Sequence, residues 1–238
     1  MNGYTYSKEK EEWQKFENLS RRVLAGELKA YAEVLKDYSP FAEISGLGSS
    51  VRVTVHNAEL LGCVLKIKGV QVIPEEVKTL TVAGRVSIKP MPRSRFHELY
   101  QDYICACLLR VARELFALLP VETVLATASA DSLDPRTGQP VAQPVLSAAI
   151  KRAVMAGLQF QRLDPSHAME NFVHRGDFKA SRKSGAFEPI SPLTPADLTE
   201  TTRKTVGFED LLAKVRSLRE EMKTEIGRLN PRPTEFAS

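Results

Sequence analysis

Between Trp13 and Leu35 apolar residues recur at steps of three and four: Trp13, Phe16, Leu19, Val23 and Leu24, then Leu28, Tyr31, Val34 and Leu35. That period predicts two amphipathic helices. Gly26 separates them, because glycine costs a helix interior about 1 kcal/mol relative to alanine. Ser7 is the candidate cap of the first, with Glu9, Glu11 and Glu12 behind it to complement the positive helix end. The second stops before Ser39-Pro40, since the residue ahead of a proline avoids helical geometry. From Val51 the period becomes two. Val51, Val53 and Val55 alternate with Arg52, Thr54 and His56, and Cys63, Leu65 and Ile67 with Lys66 and Lys68, giving two half-buried strands. Lys78 to Lys89 is also extended, and Gly84 within it makes it either one bulged strand or a small hairpin.

Pro90 and Pro92 then lead into a helix over Ser94–Leu119 that is apolar around most of its circumference and must therefore be buried between other elements. Ile104, Leu108, Val111 and Leu115 lie at the centre of its apolar arc. Glu122–Ala130 and Val141–Ile150 flank an Asp-Pro-x-x-Gly turn, the mark of a hairpin with a long loop, and Pro144 places the second strand at an edge or a bulge. A short helix near Lys151–Gly157 follows, then a helical turn capped around Leu163-Asp164-Pro165-Ser166. Beyond a Pro/Ser/Thr-rich stretch, Phe208, Leu211, Val215, Leu218 and Met222, continued by Ile226 and Leu229, form a narrow apolar stripe suited to meeting one other helix. The pattern predicts an α+β protein: a mostly antiparallel sheet on a long central helix, N-terminal helices and a separate C-terminal amphipathic helix. Its divisions are 1–38 (N-terminal helices), 39–187 (α+β core), 188–207 (linker) and 208–238 (C-terminal helix and tail).

Composition narrows the function classes. At 238 residues, 43% hydrophobic and 26% charged, the chain has the make-up of a globular protein with a sizeable core. Its net charge of +4 is mild. Cys63, Cys105 and Cys107 are odd in number and lack framework spacing, and no apolar secretion segment opens the chain. These features lead us to expect free thiols in a reducing cytoplasm. The run Val111–Val121 is broken by Arg113, Glu114 and Pro120 and falls short of the roughly 20 residues of a membrane helix.

Candidate chemistry is sparse. Glu76-Val77-Lys78 has the Glu-x-Lys form of metal-dependent nucleases, in which one strand presents carboxylate and ammonium beside Mg²⁺ and a neighbouring strand adds a second acid, here Glu59. The plainer reading is a solvated strand entry after Pro74. Glu98 and Asp102, four apart on the long helix, suit its dipole better than general acid–base work. His97 fits a hydrogen-bonded core histidine. Cys105 and Cys107 point in different directions on a helix and cannot share a metal. Arg110 and Arg113 interrupt the apolar helix and are each either at its rim or paired, with Glu114 the local partner of Arg110. The strongest candidate is the basic segment with Arg175, Lys179, Arg182 and Lys183, where Phe178 and Phe187 are available to stack, a pattern that suits anions or nucleic acid; a solvated basic loop is its plainer reading. No Walker A, Gly-x-Gly-x-x-Gly, His-Glu-x-x-His or Gly-x-Ser-x-Gly motif occurs, and no cofactor or metal is implied.

The run Pro92–Ala128, with Glu98-Leu99-Tyr100-Gln101-Asp102-Tyr103 and Leu109 through Glu122, together with Leu163-Asp164-Pro165-Ser166 and Asn171-Phe172, resembles the C-terminal region of a bacterial family of uncharacterised proteins whose longer members begin with a small β-rich domain. The likeness spans about Glu12 to Ile190, lacks that β-rich domain and leaves the C-terminal helix outside. It implies a bacterial, cytosolic module and carries over no functional residue. The expected function is a non-enzymatic interaction or assembly module, with a protein partner or self-association through the C-terminal helix. The alternative is a nucleic-acid-binding protein or metal-dependent nuclease.

Overall fold

The computed structural model describes residues 3–41, 50–133, 136–176 and 188–198. Along the chain run α1 (Gly3–Leu24), α2 (Leu28–Asp37), β1 (Ser50–Val55), β2 (Leu60–Ile67), β3 (Glu76–Leu80), β4 (Val86–Pro90), α3 (Arg93–Leu118), β5 (Thr123–Leu133), β6 (Pro140–Lys151), α4 (Arg152–Ala156), α5 (Pro165–Ala168) and β7 (Val173–Arg175). The fold is α+β. Two compact units divide it, Met1–Leu193 and Thr194–Ser238.

In the first unit five strands form one sheet in the order β1-β2-β5-β6-β7. Every pair is antiparallel except β2 and β5. Parallel neighbours need a crossover of a dozen residues or more, and α3 supplies it. Cross-strand register places all the apolar alternations on one face: Val53 opposite Cys63, Cys63 opposite Ala126, and Ala126 opposite Ala148. α3 belongs to the same core, where Ile104, Leu108 and Leu115 are wholly excluded from solvent and Val111 nearly so. Ala126, Ala128 and Ala148 on the strands keep side-chain volume low there, which lets a helix lined with Leu and Ile approach the sheet.

β5 and β6 shift register between Ala128 and Ser129, where Ala128 faces Leu146 and Ser129 faces Pro144, so Val145 is the extra bulge residue. A bulge tolerates proline, which has no ladder donor. Lys78–Lys89 resolves into the separate β3–β4 hairpin. Its Val82-Ala83-Gly84 loop is closed by Thr81 N–H donating to Arg85 O at 2.8 Å, with Gly84 at φ +71, the three-residue loop that needs a left-handed residue at its end. Gly26, at φ +76, turns α1 into α2, and a Cβ there would stand 3.1 Å from the Ala58 Cβ.

Two boundaries differ from expectation. α1 starts at Gly3, so Ser7 lies within the helix rather than capping it. Residues 188–193, assigned to a linker on composition, are tied to β6: Ile190 N–H donates to Pro144 O at 2.9 Å, Leu193 N–H to Ser147 Oγ at 2.9 Å, and Leu193 is buried. Ser147 Oγ also shares a proton with Thr127 Oγ1 at 2.9 Å, so this buried hydroxyl pair is satisfied. In the second unit Thr194 N–H and Oγ1 both donate to Asp197 Oδ2 at 2.7 Å, opening a helical turn. The C-terminal stripe Phe208, Leu211, Val215, Leu218 and Met222 lies outside the described residues.

Candidate interaction surface

α1 and α2 form a helical pair of unequal length. At about 1.5 Å per residue, the 22 residues of α1 extend more than twice as far as the 10 of α2. α2 is thus too short to accompany α1 along its length, and Leu24, at the end of the α1 stripe, is itself 77% exposed. Leu19 and Val23 are buried in the core, whereas Trp13 and Phe16, earlier on the same stripe, are 64% and 55% exposed. Phe16 meets Tyr38 edge to face, at 5.9 Å between ring centroids. Glu9, Lys10 and Glu17 neighbour Trp13 at helical spacing and Glu12 neighbours Phe16, so charges of both signs border the exposed apolar strip, with Glu17 paired to Arg21 at 2.6 Å.

The strip continues into a groove of about 500 Å³ walled by Phe16, Val23, Leu24 and Tyr38 on one side and by Phe116 to Pro120 on the other, with Arg152 at its base. Arg152 holds that wall in place. Its Nε donates to Val121 O at 2.7 Å and its Nη2 to Phe116 O at 3.1 Å and to Leu119 O, and the guanidinium lies over the Phe116 ring at 4.9 Å. A cation thus satisfies carbonyls left orphaned at the negative end of α3.

The residues that suggested catalysis lie on different elements. Glu76 and Lys78 share one exposed face of β3, in the two-stranded sheet, while Glu59 lies in the turn between β1 and β2 of the other sheet. The neighbouring-strand geometry of a nuclease metal site is therefore not built. Glu98 pairs with Arg95 at 2.9 Å and Asp102 accepts from Ser166 Oγ at 2.8 Å, so each carboxylate has its own structural partner. Among the described residues, no three His, Cys, Asp or Glu are placed to hold one metal ion.

Asp164, Ser166 and His167 bring an acid, a hydroxyl and an imidazole together, yet not as a catalytic triad. Asp164 caps α5 by accepting from Ser166 N–H and His167 N–H, both at 3.0 Å, and Ser166 Oγ turns to carboxylates rather than to the imidazole. The His167 backbone N–H, foremost among these bonds, holds the Asp164 carboxyl below its usual range. The three cysteines are free thiols. Burial pushes Cys63 up to about 12 and raises Cys105 and Cys107 as well, so none is a ready thiolate nucleophile.

One local expectation is corrected. His97 is half-buried with Nδ1 lacking a partner, against an expected hydrogen-bonded core histidine. Of the two alternatives for Arg110, at the rim or paired with Glu114, the structure has the first: Arg110 is exposed and forms no ion pair with Glu114, while Arg113 stacks over Phe160 at 4.9 Å. Of the basic segment, Arg175 is on β7 and donates to Pro192 O at 3.1 Å, a structural contact, while Lys179, Arg182 and Lys183 lie outside the described residues. No described helix is long and apolar enough to cross a membrane. No family model, curated protein or solved structure matches this chain.

The periodicity marked α1 as amphipathic without revealing that half of its stripe stays uncovered. The available signal was length: a stripe running from Trp13 to Leu24 is followed, after one glycine break, by a helix that proline stops at Ser39.

Proposed function

We propose that this protein is a non-enzymatic assembly module that associates with further copies of itself, the exposed strip of α1 receiving the apolar stripe of a second copy's C-terminal segment. The observation that carries the reading is the solvent-facing Trp13–Phe16 strip opening into the groove. Aromatic anchors of this kind dominate interface energies. The stripe Phe208, Leu211, Val215, Leu218 and Met222 supplies an occupant of matching chemistry. A helix of that length is marginal alone in water and needs a surface to pack on. The reading agrees with the resemblance to a bacterial family, which assigns no catalytic residue.

Light scattering on the full chain tests it. The expected result is a concentration-dependent dimer or larger species, reduced to monomer by Trp13→Ser/Phe16→Ser and equally by Leu211→Ser/Leu218→Ser. A monomeric full chain at high concentration overturns the proposal.

A further inference from the structure

β1 is an end strand of the five-stranded sheet, and among the described residues no strand pairs with its outer side. It has six residues, about 20 Å, against the three of β7 at the opposite end. Proteins blunt a strand edge of that length with proline, a bulge or inward-pointing charge. β1 has no proline and keeps unbroken register with β2, and its one charge is Arg52. His56 N–H donates to Leu60 O at 3.1 Å, so the even-numbered residues of β1 turn their backbone groups to β2. Val51, Val53 and Val55 therefore turn theirs outward, a row of alternating donors and acceptors. The side chains of the same three valines share one face and, with Leu35 and Phe41 from the α2 side, line a groove of about 500 Å³. All five are partly buried against the core.

We propose that this edge receives an extended segment of another protein, which joins the sheet as an antiparallel strand beside β1 and lays apolar side chains into the groove. The row of outward backbone groups selects a strand, because a helix bonds its own amides and carbonyls and has none to offer along its side. The groove selects the alternation. Residues paired across an antiparallel ladder project from the same face. Those opposite Val51, Val53 and Val55 therefore stand over the groove, and those between them stand on the face of Arg52 and Thr54. The segment thus carries apolar residues at every second position and polar ones between. The C-terminal stripe of this chain has steps of three and four, the spacing of a helix, and is not that segment. A second copy's β1 fits less well. Antiparallel pairing about a two-fold axis keeps the same sheet face on the same side, so the copy would bring its own α2 to a groove that α2 already borders. A lone strand brings no helix with it.

The test is fluorescence anisotropy of the full chain with a labelled, end-capped peptide of about eight residues, long enough to span β1, in which Val alternates with Thr and Glu. Saturable binding is expected. N-methylation of the Val amides, which face β1 in the antiparallel ladder, lowers affinity by about tenfold or more for each hydrogen bond lost. N-methylation of the intervening amides, which face away, leaves it unchanged. On the protein, Val53→Pro removes one outward donor and no bond to β2, the position at which an edge strand tolerates proline. It keeps the parental circular dichroism and loses peptide affinity. Leu35→Asn in the groove also weakens binding, and Arg52→Gln, on the other face, does not. The proposal fails if the peptide does not bind, if the two N-methylated forms lose affinity equally or in the reverse order, or if Val53→Pro binds as the parent does. It also fails if Val53→Pro, with no peptide present, lowers the mass in light scattering, since a second copy would then occupy the edge. Trp13→Ser/Phe16→Ser changes the oligomer and leaves peptide affinity unchanged, so this site and the assembly surface fail separately.

Discussion

α1 and α3 are the two long helices of this molecule, 22 and 26 residues, and both carry apolar residues at helical spacing. Their surroundings differ. α3 is bracketed in sequence by strands that pair beside it, β2 before and β5 after, so the sheet it crosses over also covers it. α1 has only the shorter α2 as its local partner, and its N-terminal half extends beyond that cover. The same pattern of side chains therefore gives a core in one helix and an exposed strip in the other. Periodicity identifies an apolar face, and the lengths of the neighbouring elements decide whether that face is filled from within the chain. The hairpins repeat the contrast. β5–β6 is buried on both faces over Val124–Ala130 and built largely of small residues there, while β3–β4 is built of β-branched residues and cations left in water.

The largest effect expected from this contrast is in α3. Leu108→Ala should destabilise the protein by about 2–5 kcal/mol, the range for large-to-small changes at fully buried sites. Trp13→Ser in α1 should change the stability of the monomer by no more than about 0.5 kcal/mol. Urea unfolding of both variants reads the difference directly. If the two losses are similar, α1 is core and the contrast is broken.

A smaller effect is expected where the two helices share a groove wall. Arg152→Met keeps an unbranched apolar stem and removes both the donors to the carbonyls of Phe116, Leu119 and Val121 and the guanidinium over the Phe116 ring. Leaving those acceptors unmet should cost roughly 1–3 kcal/mol, with hydrogen exchange accelerated first in the last turn of α3.

The smallest is at α5. Asp164→Ala removes a helix cap and should cost about 1 kcal/mol. The folded-state carboxyl of Asp164 titrates below its usual range. Its contribution is therefore complete above the unfolded-state value and disappears as pH falls through the lower folded value. Stabilities of wild type and Asp164→Ala should accordingly converge in acid and separate towards neutral pH; a constant gap would assign the cap a purely steric role.

Much of the fold was legible because local chemistry wrote it. The change of period at Val51, the Asp-Pro-x-x-Gly loop, Pro144 at a bulge and the Asp164 cap all depend on a few neighbouring residues. The parallel pairing of β2 with β5 was not legible, since alternation states which face is buried and not which strand lies beside it. Arg152 was missed for a related reason: its partners are 31 to 36 residues away, and nothing in its local sequence names them. The Glu76-Val77-Lys78 spacing within one strand says nothing of where Glu59 lies, and the structure has Glu59 in the turn between β1 and β2, away from the β3–β4 pairing.

The claim that the uncovered half of α1 is an interface is tested most directly by light scattering across a concentration series of the full chain and of Trp13→Ser/Phe16→Ser. The account predicts a parental mass that rises above one chain with concentration and a variant that stays at one chain, with the two unfolding alike in urea at dilutions where the parent is also one chain. A parent that remains a monomer throughout, or a variant that assembles as the parent does, would contradict it.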